Sequence, residues 1–179
     1  PGSYVVEART GLVTARRTFD VKANAATLAA VTLDAGALLL QAPLAAGGEP
    51  LSSATFTVRA APPGTPPGTG KVVWVGPATD APLVLPAGTY TVKAEYGRAR
   101  QERTATAAVG TLAALEIPLD AGRLKLRTID REGGGEVDRV AYVVSEDDPD
   151  SKQGRRVVAR SAAVMPDLTL PAGTYYVSA

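Results

Sequence analysis

The sequence has 179 residues, of which 45% are hydrophobic, and its 19 basic and 18 acidic residues give a formal net charge of +1. This length allows one large domain or two small ones, and the balanced charge argues against a protein that works mainly on nucleic acid or on an anionic membrane. The absence of cysteine and histidine removes disulfides, thiolate chemistry and the commonest general base and metal ligand, so we expect no enzymatic activity and no cofactor.

The chain contains an internal repeat. The phrase LPAGTY begins at Leu85 and again at Leu170, 85 positions later. The phrase LDAG occurs at 33–36 and at 119–122, 86 positions apart. These markers predict tandem units with a period of about 85 residues.

The repeat divides the chain into three expected domains: the C-terminal half of one repeat at 1–35, a complete repeat at 36–121, and the N-terminal part of a further repeat at 122–179. Because the chain opens on what looks like a strand rather than on a secretory signal, we expect further residues before it. Its apolar runs are shorter than the roughly 20 residues of a membrane-spanning helix, so no membrane insertion is expected.

Seven short runs separated by Gly- and Pro-rich connections follow one another in the complete repeat. In chain order they are ALLLQA, ATFTVRA, KVVWVG, APLVL, TYTVKAEY, ERTATAAV and LAALEIPL. This pattern predicts a seven-stranded β-sandwich. In the next repeat, RLKLRTI at 123–129 alternates apolar and basic side chains, as in a half-buried strand.

One Ala- and Leu-rich stretch, at 21–42, has the intrinsic propensity of a helix. Its counterpart one repeat later, at 105–126, carries Gly110, Pro118 and Gly122. A proline inside a helix costs about 3 kcal/mol. If the repeats share a fold, both stretches are two strands joined by a tight turn.

The repeated phrase predicts a turn followed by a strand. Tyr4, Tyr90 and Tyr175 stand at the same position of this phrase. Gly88 stands two residues before Tyr90, and Gly173 two residues before Tyr175. Glycine at these positions would allow a positive φ in the turn. Recurrence at every corner favours a structural tyrosine, with its ring in the core and its hydroxyl on a backbone group, over a ligand-stacking platform.

The stretch LPAGTYTVKAEYGRARQERTATAAVGTLAALEIPLDAGRLKL at 85–126 resembles the G-x-Y-x-V-x-A … V-x-x-G … L-x-L pattern of bacterial tandem sandwich modules, in the broad group of PEGA-type and carboxypeptidase regulatory-like repeats. The resemblance implies an all-β protein of immunoglobulin-like or transthyretin-like sandwiches. It also implies a non-catalytic part of a large envelope or extracellular protein, in the periplasm or at the cell surface. The insertion PPGTPPGTG at 62–70 departs from the pattern.

Three other features are candidate sites. Asp147, Asp148 and Asp150 are weak calcium candidates, but Pro149 interrupts them and the glycine of an EF-hand loop is missing, which favours a solvated loop. Trp74 is the only tryptophan, and its valine-rich surroundings favour burial in the core over contact with a ligand.

Several arginines could form a basic stripe that binds an anionic polysaccharide or lipid. Charges on the outer face of a strand also prevent edge-to-edge aggregation, and we favour this second interpretation. The arginines are Arg9, Arg16, Arg17, Arg98, Arg100 and Arg103.

The repeats share no set of polar residues, which favours a structural or adhesive segment whose partners are neighbouring repeats or other copies of itself. The two terminal half-domains are completed either by neighbouring residues of a longer chain or by another copy, joined head to tail by strand complementation, and the sequence does not separate these two routes. Two alternatives stay open: a glycan- or protein-binding module that uses the variable loops 59–71 and 145–156, and an accessory domain of a hydrolase.

Overall fold

The computed structural model describes residues 1–66, 68–137, 139–151 and 154–179. In this part of the chain the secondary structure is all β, as predicted, and no helix is long and apolar enough to cross a membrane. The strands are β1 (Gly2–Thr10), β2 (Val13–Val21), β3 (Ala35–Gln41), β4 (Thr55–Ala60), β5 (Val72–Pro77), β6 (Leu83–Pro86), β7 (Gly88–Tyr96), β8 (Ala99–Ala107), β9 (Leu112–Glu116), β10 (Ala121–Lys125), β11 (Tyr142–Asp147), β12 (Arg155–Ser161), β13 (Asp167–Pro171) and β14 (Tyr176–Ser178).

The chain forms two compact units. Unit 1 comprises Pro1–Glu95 and Arg100–Leu119, and unit 2 comprises Tyr96–Ala99 and Asp120–Ala179. The domain limits expected from the repeat stay a prediction, as does its exact period.

Seven strands of unit 1 build a β-sandwich. One sheet has the order β6-β3-β9 and the other the order β5-β4-β7-β8. Each of the seven runs predicted as strands overlaps one of β3 to β9, so the prediction is confirmed. It succeeds because alternating apolar positions supply the core: Leu38 of β3, Phe56 of β4 and Val92 of β7 are fully buried.

The first two strands form a separate antiparallel hairpin, β1–β2, that also belongs to unit 1. Its turn contains Gly11, with a φ of 52°, and the next N–H, of Leu12, donates a 3.1 Å hydrogen bond to the carbonyl of Val84 in β6. A Cβ on Gly11 would come within 2.7 Å of that carbonyl oxygen. This turn therefore needs glycine both for its backbone conformation and for its close approach to β6.

The Ala-rich stretch at 21–42 is not a helix, as predicted, but the expectation of two strands within it is wrong. Residues 22–34 contain no strand, and only β3 forms. The counterpart at 105–126 does contain two strands, β9 and β10, after the end of β8. The two stretches differ in their pairing: β9 pairs with β3, whereas residues 22–34 belong to no ladder of the described strands.

Unit 2 has a smaller core. A three-stranded sheet of order β12-β11-β14 accompanies the pair β10–β13. Val144, Ala159 and Leu170 form the buried cluster, and Leu124 and Leu126 pack against it. The alternation predicted at 123–129 is thus present, although the strand ends at Lys125.

Candidate functional site

Tyr90 closes the corner between β6 and β7. Its hydroxyl donates a 2.7 Å hydrogen bond to the carbonyl of Pro86, and its side chain is 5% exposed. Burial raises the pKa of the Tyr90 phenol. At the adjoining position, the N–H of Ala87 donates a 2.8 Å bond to the carbonyl of Asp34. The corner is therefore held at both its side chain and its backbone.

The same corner recurs in unit 2. The Tyr175 hydroxyl donates a 2.7 Å bond to the carbonyl of Pro171, and the N–H of Ala172 donates a 2.7 Å bond to the carbonyl of Asp120. Tyr175 is less buried than Tyr90, and its phenol pKa is raised by burial and then by the charge of Glu146. Each bond lies 85 or 86 positions after its counterpart in unit 1.

Tyr4 differs from the other two tyrosines, because it is 55% exposed on the β1–β2 hairpin, opposite Phe19.

The glycines of the corner also differ from expectation. Neither Gly88 nor Gly173 has a positive φ. A Cβ on Gly88 would instead lie 3.8 Å from the ring of Tyr90, which is ordinary van der Waals contact. Neither the backbone conformation nor the space beside the ring therefore requires glycine at position 88.

Trp74 is only half-buried, rather than enclosed in the core. It lies on β5, the edge strand of its sheet, where Val72 and Val75 are exposed, so the expectation of a strand covered on both faces is wrong. Its indole lies over Gly76 of the same strand. A Cβ at Gly76 would overlap the ring and come within 2.8 Å of Cη2.

Two of the candidate calcium-binding aspartates, at the end of β11 and just after it, accept hydrogen bonds from other protein groups. Asp148 accepts a 3.1 Å hydrogen bond from the N–H of Asp150, and Asp147 accepts a 3.2 Å bond from the hydroxyl of Tyr176. Among the described residues, no group of three or more acidic side chains is arranged to hold a metal ion. A calcium role for these aspartates has no geometric support here.

The basic residues do not act as one group. Arg9 and Arg16 both form ion pairs with Glu7, and these two cations lower the pKa of the Glu7 carboxyl, Arg16 more than Arg9. Arg100 and Arg103 are exposed on β8, an edge strand of the sheet β5-β4-β7-β8. This placement suits the protection of a sheet edge by charge.

The two variable loops are closed by local hydrogen bonds. In the first loop the N–H of Ala60 donates to the carbonyl of Lys71 at 2.9 Å. In the second, the N–H of Asp148 donates to the carbonyl of Gly154 at 3.0 Å, and the Arg155 guanidinium lies 3.6 Å from the centre of the Tyr176 ring. Positions 67, 152 and 153 of the candidate loops lie outside the described residues.

The first and last strands of the complete repeat pair with each other, which was not predicted from the sequence. β3 and β9 run parallel, with Ala37 opposite Leu112 and Gln41 opposite Glu116. Hydrogen bonds continue past both ends of this ladder: the N–H of Gly110 donates to Ala35 at 2.8 Å, and the N–H of Ile117 donates to Gln41 at 2.8 Å. The apolar run ALLL was the available signal, since continuous apolar runs are typical of strands in parallel sheets, whose two faces are both covered.

No protein-family model matches the chain, and no curated protein matches it. Among solved structures, the chain is similar to the TIE protein of Bacillus anthracis, with 18% identity over 92% of this chain and 35% of that one, at a TM-score of 0.36. It is also similar to a streptococcal ancillary pilin, with 15% identity over 99% of this chain and 66% of that one, at a TM-score of 0.42. The chain thus spans less than two thirds of the length of either, and neither likeness assigns a function.

Proposed function

We propose that this chain is a non-catalytic structural and adhesive repeat segment of a larger bacterial envelope or extracellular protein, and that its complete repeat carries tension. The observation that carries the proposal is the parallel pairing of β3 with β9. The chain enters the repeat through β3 and leaves it through β9. Tension along the polypeptide therefore acts on this ladder directly.

The direction of the strands determines how the ladder responds to tension. The entering end, at Ala35, and the leaving end, beyond Glu116, lie at opposite ends of the parallel pair. Force applied at these two points slides the strands past each other along their length. The evenly spaced hydrogen bonds of a parallel pair then share the load, whereas a hairpin pulled at its open end loses its bonds one after another.

Burial behind the ladder adds to this resistance. Leu38 and Leu40 of β3 are buried, as are Ile117 and Leu119 just beyond β9. The N–H of Leu119 also donates a 3.0 Å bond to the carbonyl of Pro43. Separating the strands would expose these side chains to water at the same time as it breaks the ladder.

Single-molecule force measurement on the 179-residue chain, held at its two ends, tests the proposal. We expect the strongest event to be the unfolding of the complete repeat, releasing roughly 300 Å, the contour length of residues 35–119 at about 3.6 Å per residue. The hairpin β1–β2 and unit 2, in which the described strands form antiparallel pairs, should yield at lower force. A strongest event of a different length would refute the load-bearing role.

A further inference from the structure

The sheet β5-β4-β7-β8 of the complete repeat has two edge strands that differ in charge. β8 presents Arg100, Glu102 and Arg103 to solvent, and exposed charges on an edge strand oppose its pairing with another strand. β5 carries no charged residue along its length, and its Val72 and Val75 are 39% and 58% exposed. One edge of this sheet is therefore protected by charge, and the other is not.

The apolar edge of β5 is particular to the complete repeat. Its counterpart one repeat later, β12, is the edge strand of the described sheet β12-β11-β14 and exposes Arg155, Arg156 and Arg160. A strand at this place in the repeat thus tolerates charge, so the fold does not require an apolar edge at β5. Exposed apolar surface on a sheet edge is typical of a contact site.

The backbone of β5 offers a short pairing edge centred on Val75. Just after the strand, the N–H of Ala78 donates a 2.8 Å hydrogen bond to the carbonyl of Ala54, on the side of β4. Gly76 faces β4 in the same way, because alternate residues of a strand turn their backbone groups to the same neighbour, so the N–H and C=O of Val75 point to the free edge. Pro77 adds a carbonyl but no N–H, and the β-bulge of the β4–β5 ladder lies nearer the start of the strand. The regular part of the free edge is therefore short.

Opposite charges stand at the two ends of β5. Lys71 precedes the strand and Asp80 follows it, and both are exposed. In the part of the chain that the structure describes, neither forms an ion pair. A second copy of β5 laid antiparallel brings the start of one strand to the end of the other, so each lysine meets the aspartate of the other copy. A parallel copy would instead bring like charges together.

We propose that two copies of this chain pair through β5, antiparallel about a two-fold axis at Val75, and join their four-stranded sheets into one. In this register the N–H of each Val75 donates to the carbonyl of the other, and Lys71 lies opposite Thr79 of the second copy, beside Asp80. Both copies use the same surface, and the charged edge at β8 ends the sheet, so the contact closes at a dimer. The contact adds a lateral partner to the proposed structural role, and it does not depend on the complete repeat bearing tension.

The variant Val75→Cys tests the register directly, because the chain has no cysteine. The two-fold axis sets the two introduced thiols opposite each other, with Cα atoms roughly 5.5 Å apart, which a disulfide can span. Mild oxidation should therefore give a disulfide-linked homodimer. Val157→Cys is the matched control, since Val157 is 45% exposed on the edge strand β12, and it should give much less crosslinked product.

Charge variants test the two ends of the contact. Lys71→Glu sets two carboxylates side by side, and Asp80→Lys sets two ammonium groups side by side, so each should weaken the dimer by about tenfold or more. The double variant Lys71→Glu/Asp80→Lys restores opposite charges and should regain the affinity of the unaltered chain. Both side chains are exposed, so thermal unfolding of the monomer should be unchanged in all three variants.

Light scattering at two concentrations tenfold apart measures the assembly. The unaltered chain should pass from monomer towards dimer and form no larger species. Val75→Lys should stay a monomer, because the two-fold axis brings the two added charges face to face. Val157→Lys, the same change on the edge strand β12, should dimerise like the unaltered chain.

Three results would overturn the proposal: a constant monomer mass for the unaltered chain, a mass that grows beyond the dimer, or a dimer that survives Val75→Lys. The first would leave the edge to a partner of another kind, and the second would show open-ended association. None of these results bears on the force measurement, which is made on single molecules, so failure of this proposal and failure of the load-bearing role can be told apart.

Discussion

The hydroxyl of Tyr90 donates a 2.7 Å hydrogen bond to the carbonyl oxygen of Pro86, four residues before it. Because the tyrosine is almost fully buried, removal of the hydroxyl in Tyr90→Phe leaves that carbonyl without its partner. We expect a loss of about 1 kcal/mol in the free energy of unfolding, measured by urea denaturation of the 179-residue chain.

The equivalent change in unit 2, Tyr175→Phe, is the control for this prediction. The bond to Pro171 has the same length, but the side chain is less buried. Water can then replace the lost donor, so the cost should be smaller than for Tyr90→Phe. Equal costs at both corners would show that burial does not determine the worth of this hydrogen bond.

Alkaline pH should weaken the Tyr90 corner. Burial raises the pKa of this phenol in the folded chain above its ordinary value of about 10. The unfolded chain therefore releases the proton first, and the contribution is complete below about pH 10 and is lost as the pH rises through the folded pKa. Between pH 9 and 11, unfolding measurements should show a steeper loss of stability for the unaltered chain than for Tyr90→Phe. Parallel pH profiles would contradict this assignment.

Two glycines at the same position of the repeat should respond differently to one substitution. Gly36→Ala places a methyl group on the Ala108 carbonyl and should cost about 1–3 kcal/mol, as overpacking does. Gly122→Ala meets open space and should change the stability of the free chain by less than about 0.5 kcal/mol. Thermal unfolding of both variants under dilute conditions checks the pair, and an equal loss would contradict the contrast in their surroundings.

The only tryptophan reports on the edge strand β5. Gly76→Ala would force the Trp74 indole away from the strand, because the methyl group occupies the place of the ring. We expect the emission maximum of Trp74 to shift to longer wavelength as the ring becomes more exposed. Gly135→Ala, which meets no neighbour, should leave the spectrum unchanged. An unshifted spectrum in Gly76→Ala would mean that the ring does not lie over this glycine.

Local sequence patterns were sufficient to predict the strands of the complete repeat. In TYTVKAEY the predicted inward positions Tyr90, Val92 and Ala94 of β7 are buried, although Thr91, predicted to face outward, is buried as well. Pro118 correctly excluded a helix across the connection from β9 to β10. These features are encoded within a few neighbouring residues, because the pleat and the turn each depend on local geometry.

Features that depend on distant partners were not predictable in the same way. Residues 22–34 resemble their counterpart in composition but form no strand, so composition alone does not decide where a strand forms. The parallel direction of β3 and β9 follows from the order of strands in the sheet, which alternation does not reveal. Trp74 is half-exposed for the same reason, since its valine-rich strand lies at the edge of a sheet.

The load-bearing role is tested most directly by pulling the same ladder in two directions. Cysteine attachment points at Asp34 and Glu116 load β3 and β9 in shear, whereas points at Asp34 and Leu112 load them from one end, because Leu112 lies opposite Ala37 at the start of β3. The account predicts that the complete repeat unfolds at a markedly higher force in the first geometry than in the second. Equal forces in the two geometries would contradict it, because the parallel ladder would then not carry the load.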